Sequence, residues 1–276
     1  MEPFSARSAD ILEIINFERY PLSDLGAVKA QELVAHCQRE LTSSGSCELK
    51  SFVSPLGLEK LVMESREMEP LAYHNALVGN AYLDEPDPAL PSDHARRITE
   101  PTALGAVGYD QFPRNSTLRQ IFEWDPLMHF VGAVLQLPQI YRYGDPMGAL
   151  NLAVMKDGDY LRWHFDQTDF VTSLSIQEAE VGGHFEYVPM IRNAKEENYS
   201  QVKAVIGGSR EGVISVQNEP GSLILFKGRY SLHRVTRIQG KRSRLMGLLG
   251  FDTRPGVVSS EHLRKMRYGR TKPFEA

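Results

Sequence analysis

The second half of the chain is a series of short apolar segments, each bounded by turn-forming residues. Asp157-Gly158-Asp159, Gly182-Gly183 and Pro220-Gly221 are typical of the breaks between them. Short apolar segments between such breaks are typical of β-strands, and about eight of them suffice for the two packed sheets of a jelly roll. The segments cover residues 149–156, 161–166, 170–176, 184–188, 213–217, 222–226, 230–235 and 245–251.

Two histidines and one aspartate occupy comparable places in these predicted strands. His164 and Asp166 end the second segment, and His233 lies in the seventh. Side chains two residues apart on an extended strand project to the same side, so His164 and Asp166 can bind one ion if the sheet returns His233 to the same place. Two histidines and one carboxylate are the ligand set that holds non-haem Fe(II) and leaves open positions. We therefore predict that these three residues bind one metal ion.

Four stretches resemble the Fe(II)/2-oxoglutarate-dependent oxygenases: WHFDQTDF, GGHFEYVP, PGSLILFKGRYSLHRV and RLMGLLGFDTRPG. Within that family they are most similar to the bacterial hydroxylases and halogenases of free amino acids, over residues 137–256. The resemblance implies Fe(II) held by His164, Asp166 and His233. It also implies an arginine that binds the co-substrate. Arg244, which directly precedes an apolar segment, is the preferred candidate, and Arg242 is the alternative.

The resemblance also implies an activity. Such an enzyme uses Fe(II), 2-oxoglutarate and O₂ to hydroxylate an unactivated C–H bond, and it releases succinate and CO₂. In the related halogenases a glycine or alanine replaces the aspartate and chloride takes its place, so Asp166 favours hydroxylation, while desaturation or cyclisation stays open. A tyrosine that often contacts the co-substrate in prolyl hydroxylases is replaced here by Met155, which leaves the second co-substrate contact unassigned.

The resemblance points to a free amino acid, or a close derivative, as the substrate. Candidates for binding its carboxylate and ammonium groups are Arg97 with its neighbour Arg96, Asn151, Asp252 and Arg254. Two other functions stay open: an oxygenase acting on a larger secondary-metabolite scaffold or a peptide, and a non-enzymatic, cupin-like metal-binding module. A cation beside the metal argues against the second of these, because a simple metal store does not need one.

The first half of the chain has the pattern of helices. Asp24 is a candidate cap for a helix that ends at Gly45, and the pairs Ser54-Pro55 and Asp125-Pro126 each predict a helix start. Residues 82–110 are predicted to form a long loop, either a lid over the iron or a surface excursion. We expect an α+β protein, with a double-stranded β-helix (jelly roll, cupin-like) core at 137–276. A helical region at 1–136 would pack on its outside in one compact unit.

Composition narrows the range of partners. The net charge is −4, and the one basic concentration, at residues 264–272, is expected to be a solvated tail. This pattern favours a small-molecule substrate over nucleic acid. No apolar segment reaches membrane-spanning length, so no membrane association is expected. Two cysteines, Cys37 and Cys47, fit a reducing, cytoplasmic environment better than a disulfide framework.

Overall fold

The computed structural model describes residues 8–275 and contains two main antiparallel sheets. A seven-stranded major sheet and a four-stranded minor sheet contact each other through Phe226 of the major sheet and Phe185 of the minor one, whose rings lie 5.0 Å apart. The strands are β1 (Ser46–Leu49), β2 (Tyr73–Asn80), β3 (Thr99–Gly108), β4 (Tyr141–Arg142), β5 (Leu150–Met155), β6 (Leu161–His164), β7 (Val171–Gln177), β8 (Phe185–Val188), β9 (Ile214–Val216), β10 (Leu223–Phe226), β11 (Leu232–Val235), β12 (Arg244–Leu249) and β13 (Phe251–Asp252).

The strand order confirms the predicted fold class. The major sheet runs β1-β10-β7-β12-β5-β3-β2 and the minor sheet β6-β11-β8-β9, with β13 and β4 forming a separate pair. Each of the eight apolar segments predicted as a strand contains one. The last segment is divided at Gly250, where β12 ends and β13 begins.

Most of the described helices cover the outer face of the major sheet. Outward-facing side chains such as Leu152, Leu174 and Leu245 form one apolar cluster with Leu61 and Phe130 of the helices. The helices are α1 (Ser8–Ile14), α2 (Val28–Ser44), α3 (Pro55–Met68), α4 (Thr117–Glu123), α5 (Asp125–Val134), α6 (Tyr199–Ile206) and α7 (Glu261–Tyr268). None of the helices among residues 8–275 has both the length and the apolar character that crossing a membrane requires.

Local capping chemistry explains most of the predicted helix boundaries. The Ser54 side chain accepts the Gly57 N–H at 3.0 Å with proline next in sequence, and Gly45 ends α2 with φ of 70°. The predicted cap at Asp24 is wrong. Its carboxylate instead accepts the Gly26 N–H at 2.8 Å, which forms a turn, and α2 begins four residues later.

The first half of the chain is not only helical. It contributes β1 at one edge of the major sheet and the paired strands β2 and β3 at the other, with β3 bonded to β5. Because β3 occupies Thr99–Gly108, the predicted loop at 82–110 ends before residue 99. A division at residue 136 therefore separates strands that belong to one sheet.

The basic C-terminal segment is not a solvated tail, and that prediction is wrong. Helix α7 packs on β2 and β3, where the Asn75 side chain donates to the Met266 carbonyl at 2.8 Å. Arg264 on α7 and Arg270 just after it form ion pairs with buried carboxylates, Arg264 with Asp145 at 2.8 Å and Arg270 with Asp110 at 2.7 Å. These ion pairs hold the segment against the strands.

Candidate metal centre

The pairing of two neighbouring strands brings the predicted metal ligands together. His164 ends β6 and lies directly opposite His233 on β11, with the ring centroids 4.0 Å apart. Asp166 follows just past the end of β6, 3.7 Å from Nε2 of His164 and 3.5 Å from Nε2 of His233. One ligand atom from each residue falls within 4.8 Å of the other two. This spacing leaves room for one ion between two imidazoles and a carboxylate.

Main-chain carbonyls orient both imidazole rings. His164 Nδ1 donates to the Arg162 carbonyl, and His233 Nδ1 donates to the Ser231 carbonyl, each at 2.9 Å. A proton on Nδ1 leaves the Nε2 lone pair free on the side that faces Asp166. Such outer hydrogen bonds fix the tautomer and the ring orientation of histidine ligands.

Asp166 is held by a glycine on the loop before β11. The main-chain N–H of Asp166 donates to the Gly228 carbonyl at 3.0 Å. A Cβ added at Gly228 would lie 1.6 Å from Oδ2 of Asp166. Any side chain at this position would displace the carboxylate. The next residue, Arg229, binds Asp169 and the Gln167 carbonyl, which ties the two loops together.

Burial and neighbouring charge favour the metal-binding protonation states. Burial lowers the pKa of His164 to about 3, and the charges of His233 and Arg162 act in the same direction. Burial alone would raise the pKa of Asp166. Interactions with His233, His164 and Arg267 lower it instead. At neutral pH His164 is neutral and Asp166 is ionised, and these are the forms that bind a metal cation. Two nitrogen donors and one carboxylate suit Fe(II).

Aromatic rings close the inner side of the centre. Phe226 packs edge-on against the His233 ring at 4.9 Å, and Phe185 lies 5.7 Å from it. His164 and His233 are only 7% and 5% exposed. The centre is therefore shielded from bulk water on this side.

Arg244 is a buried cation on the inner face of the major sheet. It begins β12 opposite Met155 on β5, and Met155 forms a cluster with Val235 and Phe185 of the minor sheet. Arg244 is 9% exposed, and burial lowers its pKa to about 10, so it stays charged at neutral pH. Within residues 8–275 its guanidinium has no hydrogen-bond or ion-pair partner. A buried guanidinium without a protein partner is suited to binding an anionic ligand.

Arg242, the alternative co-substrate arginine, already has protein partners. Its Nε donates to the Glu178 carbonyl at 2.9 Å and its Nη2 to the Ala179 carbonyl at 3.3 Å. It lies outside β12, so the structure favours Arg244 as the cation between the sheets.

Of the predicted substrate residues, one lies on the inner wall. Asn151 is 7% exposed on β5, and its Oδ1 is buried without a hydrogen-bond partner within residues 8–275. Arg97 donates to the Leu90 carbonyl at 2.8 Å within its own loop. The Arg254 side chain is 78% exposed, 3.9 Å from Asp252. Arg97, Asp252 and Arg254 therefore have local contacts or are exposed to solvent.

The loop that joins β2 to β3 packs on the outer face of the minor sheet. Its Tyr82 and Ala95 form a cluster with Trp163 and Phe165, which point away from the metal ligands. Arg96 binds Asp84 and donates to the Tyr199 hydroxyl at 3.2 Å on α6. These contacts describe a surface excursion for this part of the loop, and the lid over the iron stays a prediction.

Three features of the site escaped the sequence analysis. The sequence shows Gly228 only as a glycine between two basic residues before the second histidine, which does not by itself indicate a role. Arg162 lies two residues before His164, at the same spacing that separates His164 from Asp166. Arg267 lies in the segment expected to be a solvated tail, and only the packing of α7 brings it against β2.

Comparison with known proteins agrees with this geometry. The sequence profile of the HalD family, Halogenase D, matches residues 92–262, well over half of the chain. The chain belongs to the Halogenase D family. Among curated proteins no sequence matches this member of the family.

Solved structures share the fold of this HalD family member at low sequence identity. AviO1 from Streptomyces viridochromogenes Tue57 has a TM-score of 0.54 at 14% identity, over 82% of this chain and 97% of that one. The α-ketoglutarate-dependent epimerase SnoN of nogalamycin biosynthesis has 0.54 at 10%, over 80% and 83%. A 2OG-Fe(II) oxygenase from Burkholderia pseudomallei has 0.51 at 12%, over 81% and 92%.

Together these findings confirm the predicted enzyme class, a 2-oxoglutarate-dependent non-haem iron oxygenase. The narrower resemblance to amino acid hydroxylases stays a prediction, as do the roles of the individual site residues.

Proposed function

We propose that this HalD family member hydroxylates an unactivated C–H bond of a free amino acid or a close derivative. His164, Asp166 and His233 would hold Fe(II), and 2-oxoglutarate would be the co-substrate. Iron with 2-oxoglutarate and O₂ supplies the oxidising power for such a reaction, while the protein supplies placement and exclusion of water.

The observation that carries this proposal is the carboxylate at the third ligand position. Asp166 lies between the two histidines, and the Gly228 main chain packs against it so that little free volume remains behind it. Halide transfer to substrate needs a halide at the metal, and a carboxylate in this place competes for that position. Asp166 therefore supports hydroxylation, although the family is named for halogenases.

Arg244 supports the assignment of the co-substrate. The far carboxylate of 2-oxoglutarate needs a cation, and the planar guanidinium fork offers it two parallel hydrogen bonds. As far as residues 8–275 are concerned, Arg244 has those donors free in the space between the sheets, next to Met155. Phe185 and Phe226 would keep water from the iron side of that space.

Product analysis by mass spectrometry tests the proposal. The protein with Fe(II), 2-oxoglutarate and O₂ should convert a free α-amino acid into a product heavier by one oxygen atom, with one succinate formed per turnover. The N-acetyl and primary amide forms of the same amino acid are the matched controls. Equal turnover of the blocked forms would favour the larger-scaffold or peptide function, and a chlorinated product would contradict hydroxylation.

A further inference from the structure

Arg162 is a half-buried cation beside the metal centre. It lies two residues before His164 on β6, and its Nε donates to the Asn80 carbonyl at 3.3 Å. Its guanidinium lies so close to Gly79 that a Cβ added there would come within 2.6 Å of Nη2. In the part of the chain that the structure describes, neither Nη group has an acceptor. Four of its five N–H donors are therefore free.

Other half-buried arginines of the protein are better satisfied. Arg192 pairs with Glu197 at 2.9 Å, Arg234 pairs with Glu186 at 2.7 Å, and Arg264 pairs with Asp145 at 2.8 Å. Glu100, whose charge acts on Arg162, accepts the Trp163 N–H and forms no ion pair with Arg162. Leaving a desolvated guanidinium without acceptors costs free energy, which a bound anion would recover.

A second unpaired arginine lies on α7, which packs against β2, the strand that Arg162 also contacts. Asn75, which anchors α7, and Gly79, which contacts Arg162, lie on the same face of β2 because they are four residues apart on a strand. Arg267 on α7 is exposed, and no ion pair holds it among residues 8–275. It directly follows Met266, whose carbonyl accepts from Asn75, so it lies on the part of α7 that packs on β2.

We propose that Arg162, assisted by Arg267, binds an anionic group of the substrate beside the metal centre. The planar fork of Arg162 matches a carboxylate, which it would hold through two parallel hydrogen bonds. The inference rests on the proposed function and narrows it to substrates that are acids. A free α-amino acid and an acidic larger scaffold both have this chemistry.

Binding measurements without turnover test the site. The protein loaded with Fe(II) and 2-oxoglutarate, kept without O₂, is titrated calorimetrically with L-lysine and L-leucine, with their primary amides, and with their N-acetyl acids. The wild type should bind the acid at least ~10-fold more tightly than the amide, because a charge-assisted pair is lost in the amide. N-acetyl acids that bind as well as the free amino acids would indicate an acidic scaffold as the source of the carboxylate.

Variants assign the effect to the two arginines. Arg162→Ala should remove the preference for the acid and leave amide binding within about twofold, and Arg267→Ala should reduce the preference in part. Arg162→Lys keeps the charge but not the fork, so it should retain a reduced preference and covers the case in which Arg162→Ala folds poorly. Lys265→Ala, an exposed site on the same helix, should change nothing.

Two results would overturn the proposal. Either no acid in the panel binds in preference to its amide, or Arg162→Ala and Arg162→Lys both keep the wild-type preference. The affinity for 2-oxoglutarate and the succinate formed without substrate are measured in the same samples. They should be unchanged in Lys265→Ala. Wild-type protein that binds 2-oxoglutarate and forms succinate but does not prefer acids would show that the anion site has failed while the iron and 2-oxoglutarate chemistry has not.

Discussion

The two faces of the minor sheet use charged residues in opposite ways. On the outer face Glu186 accepts hydrogen bonds from Arg210 at 2.7 and 2.8 Å and from Arg234 at 2.7 Å. Arg234 also lies 4.6 Å above the Trp163 ring, and Arg192 lies 3.8 Å above the Phe165 ring. These outward charges are satisfied by the protein itself.

The inner face and the space in front of it hold groups that the protein leaves unsatisfied. His164, His233 and Asp166 present three donor atoms to one point, and Arg244 has no carboxylate partner among the described residues. Both faces come from the same strands, because neighbouring residues on a strand point to opposite sides. We infer that outward charges stabilise the fold and inward charges bind ligands.

The largest effect should come from removing an inward ligand. His233→Ala should weaken Fe(II) binding by more than ~100-fold, since loss of outer hydrogen-bonding partners alone costs metal sites about 10- to 100-fold. The measurement is anaerobic titration of the purified protein with Fe(II). His184→Ala is the control, because His184 lies outside the cluster of metal-binding residues. Stoichiometric iron in His233→Ala at micromolar metal would mean that His233 is not a ligand.

A methyl group behind Asp166 should have the next largest effect. Gly228→Ala places a Cβ where Oδ2 of Asp166 now lies, so the carboxylate must move and Fe(II) affinity should fall by roughly 10- to 100-fold. Gly132→Ala is the matched control, since its added Cβ would have no neighbour closer than 3.5 Å. The same Fe(II) titration applies, and equal affinities for the two variants would show that the glycine does not position Asp166.

Arg244→Ala should impair use of the co-substrate. The KM for 2-oxoglutarate should rise by at least ~10-fold, because a charge-assisted bidentate pair contributes about 1.5 to 3 kcal/mol. Steady-state succinate formation measures it. Arg242→Ala, two residues away and bound to main-chain carbonyls, should leave the KM unchanged. The reverse pattern would transfer the role to Arg242.

The smallest effect on activity should come from the outer face. Glu186→Gln removes the charge that two partly exposed arginines share, and it should lower the free energy of unfolding by about 1 to 2 kcal/mol. Urea denaturation measures this change. Fe(II) affinity and the KM for 2-oxoglutarate should stay at wild-type values, and a change in either would show that the two faces are coupled.

The strands of the second half were predictable because local signals agree with the sheet. Turn residues separate the apolar segments there, and His164, Asp166 and His233 stand at spacings that a sheet can bring together. The pairing of His233 with His164, which completes the metal centre, is a long-range contact. It is predictable from the residue types that iron requires and not from the pattern around His233.

The strands of the first half were not predicted, because their sequences lack the turn residues and apolar segments that mark the strands of the second half. β2 and β3 contain small residues and little apolar alternation, and their place in the sheet comes from pairing with β5. Tertiary context also decided the packing of the C-terminal segment, where Arg264 on α7 and Arg270 just after it form ion pairs with aspartates that are distant in the sequence. In the sequence Arg162 looks like any other charged residue of a strand. Only the structure distinguishes it, because its Nη groups have no hydrogen-bond acceptor among residues 8–275.

Product analysis of Asp166→Gly tests the central claim most directly. The claim is that a carboxylate ligand commits this HalD family member to hydroxylation. Wild-type protein with Fe(II), 2-oxoglutarate, O₂ and chloride should give a product with one added oxygen and no chlorine isotope pattern. Asp166→Gly should lose hydroxylation by more than ~100-fold, in line with the loss of a metal ligand. A chlorinated wild-type product, or wild-type hydroxylation by Asp166→Gly, would contradict the claim.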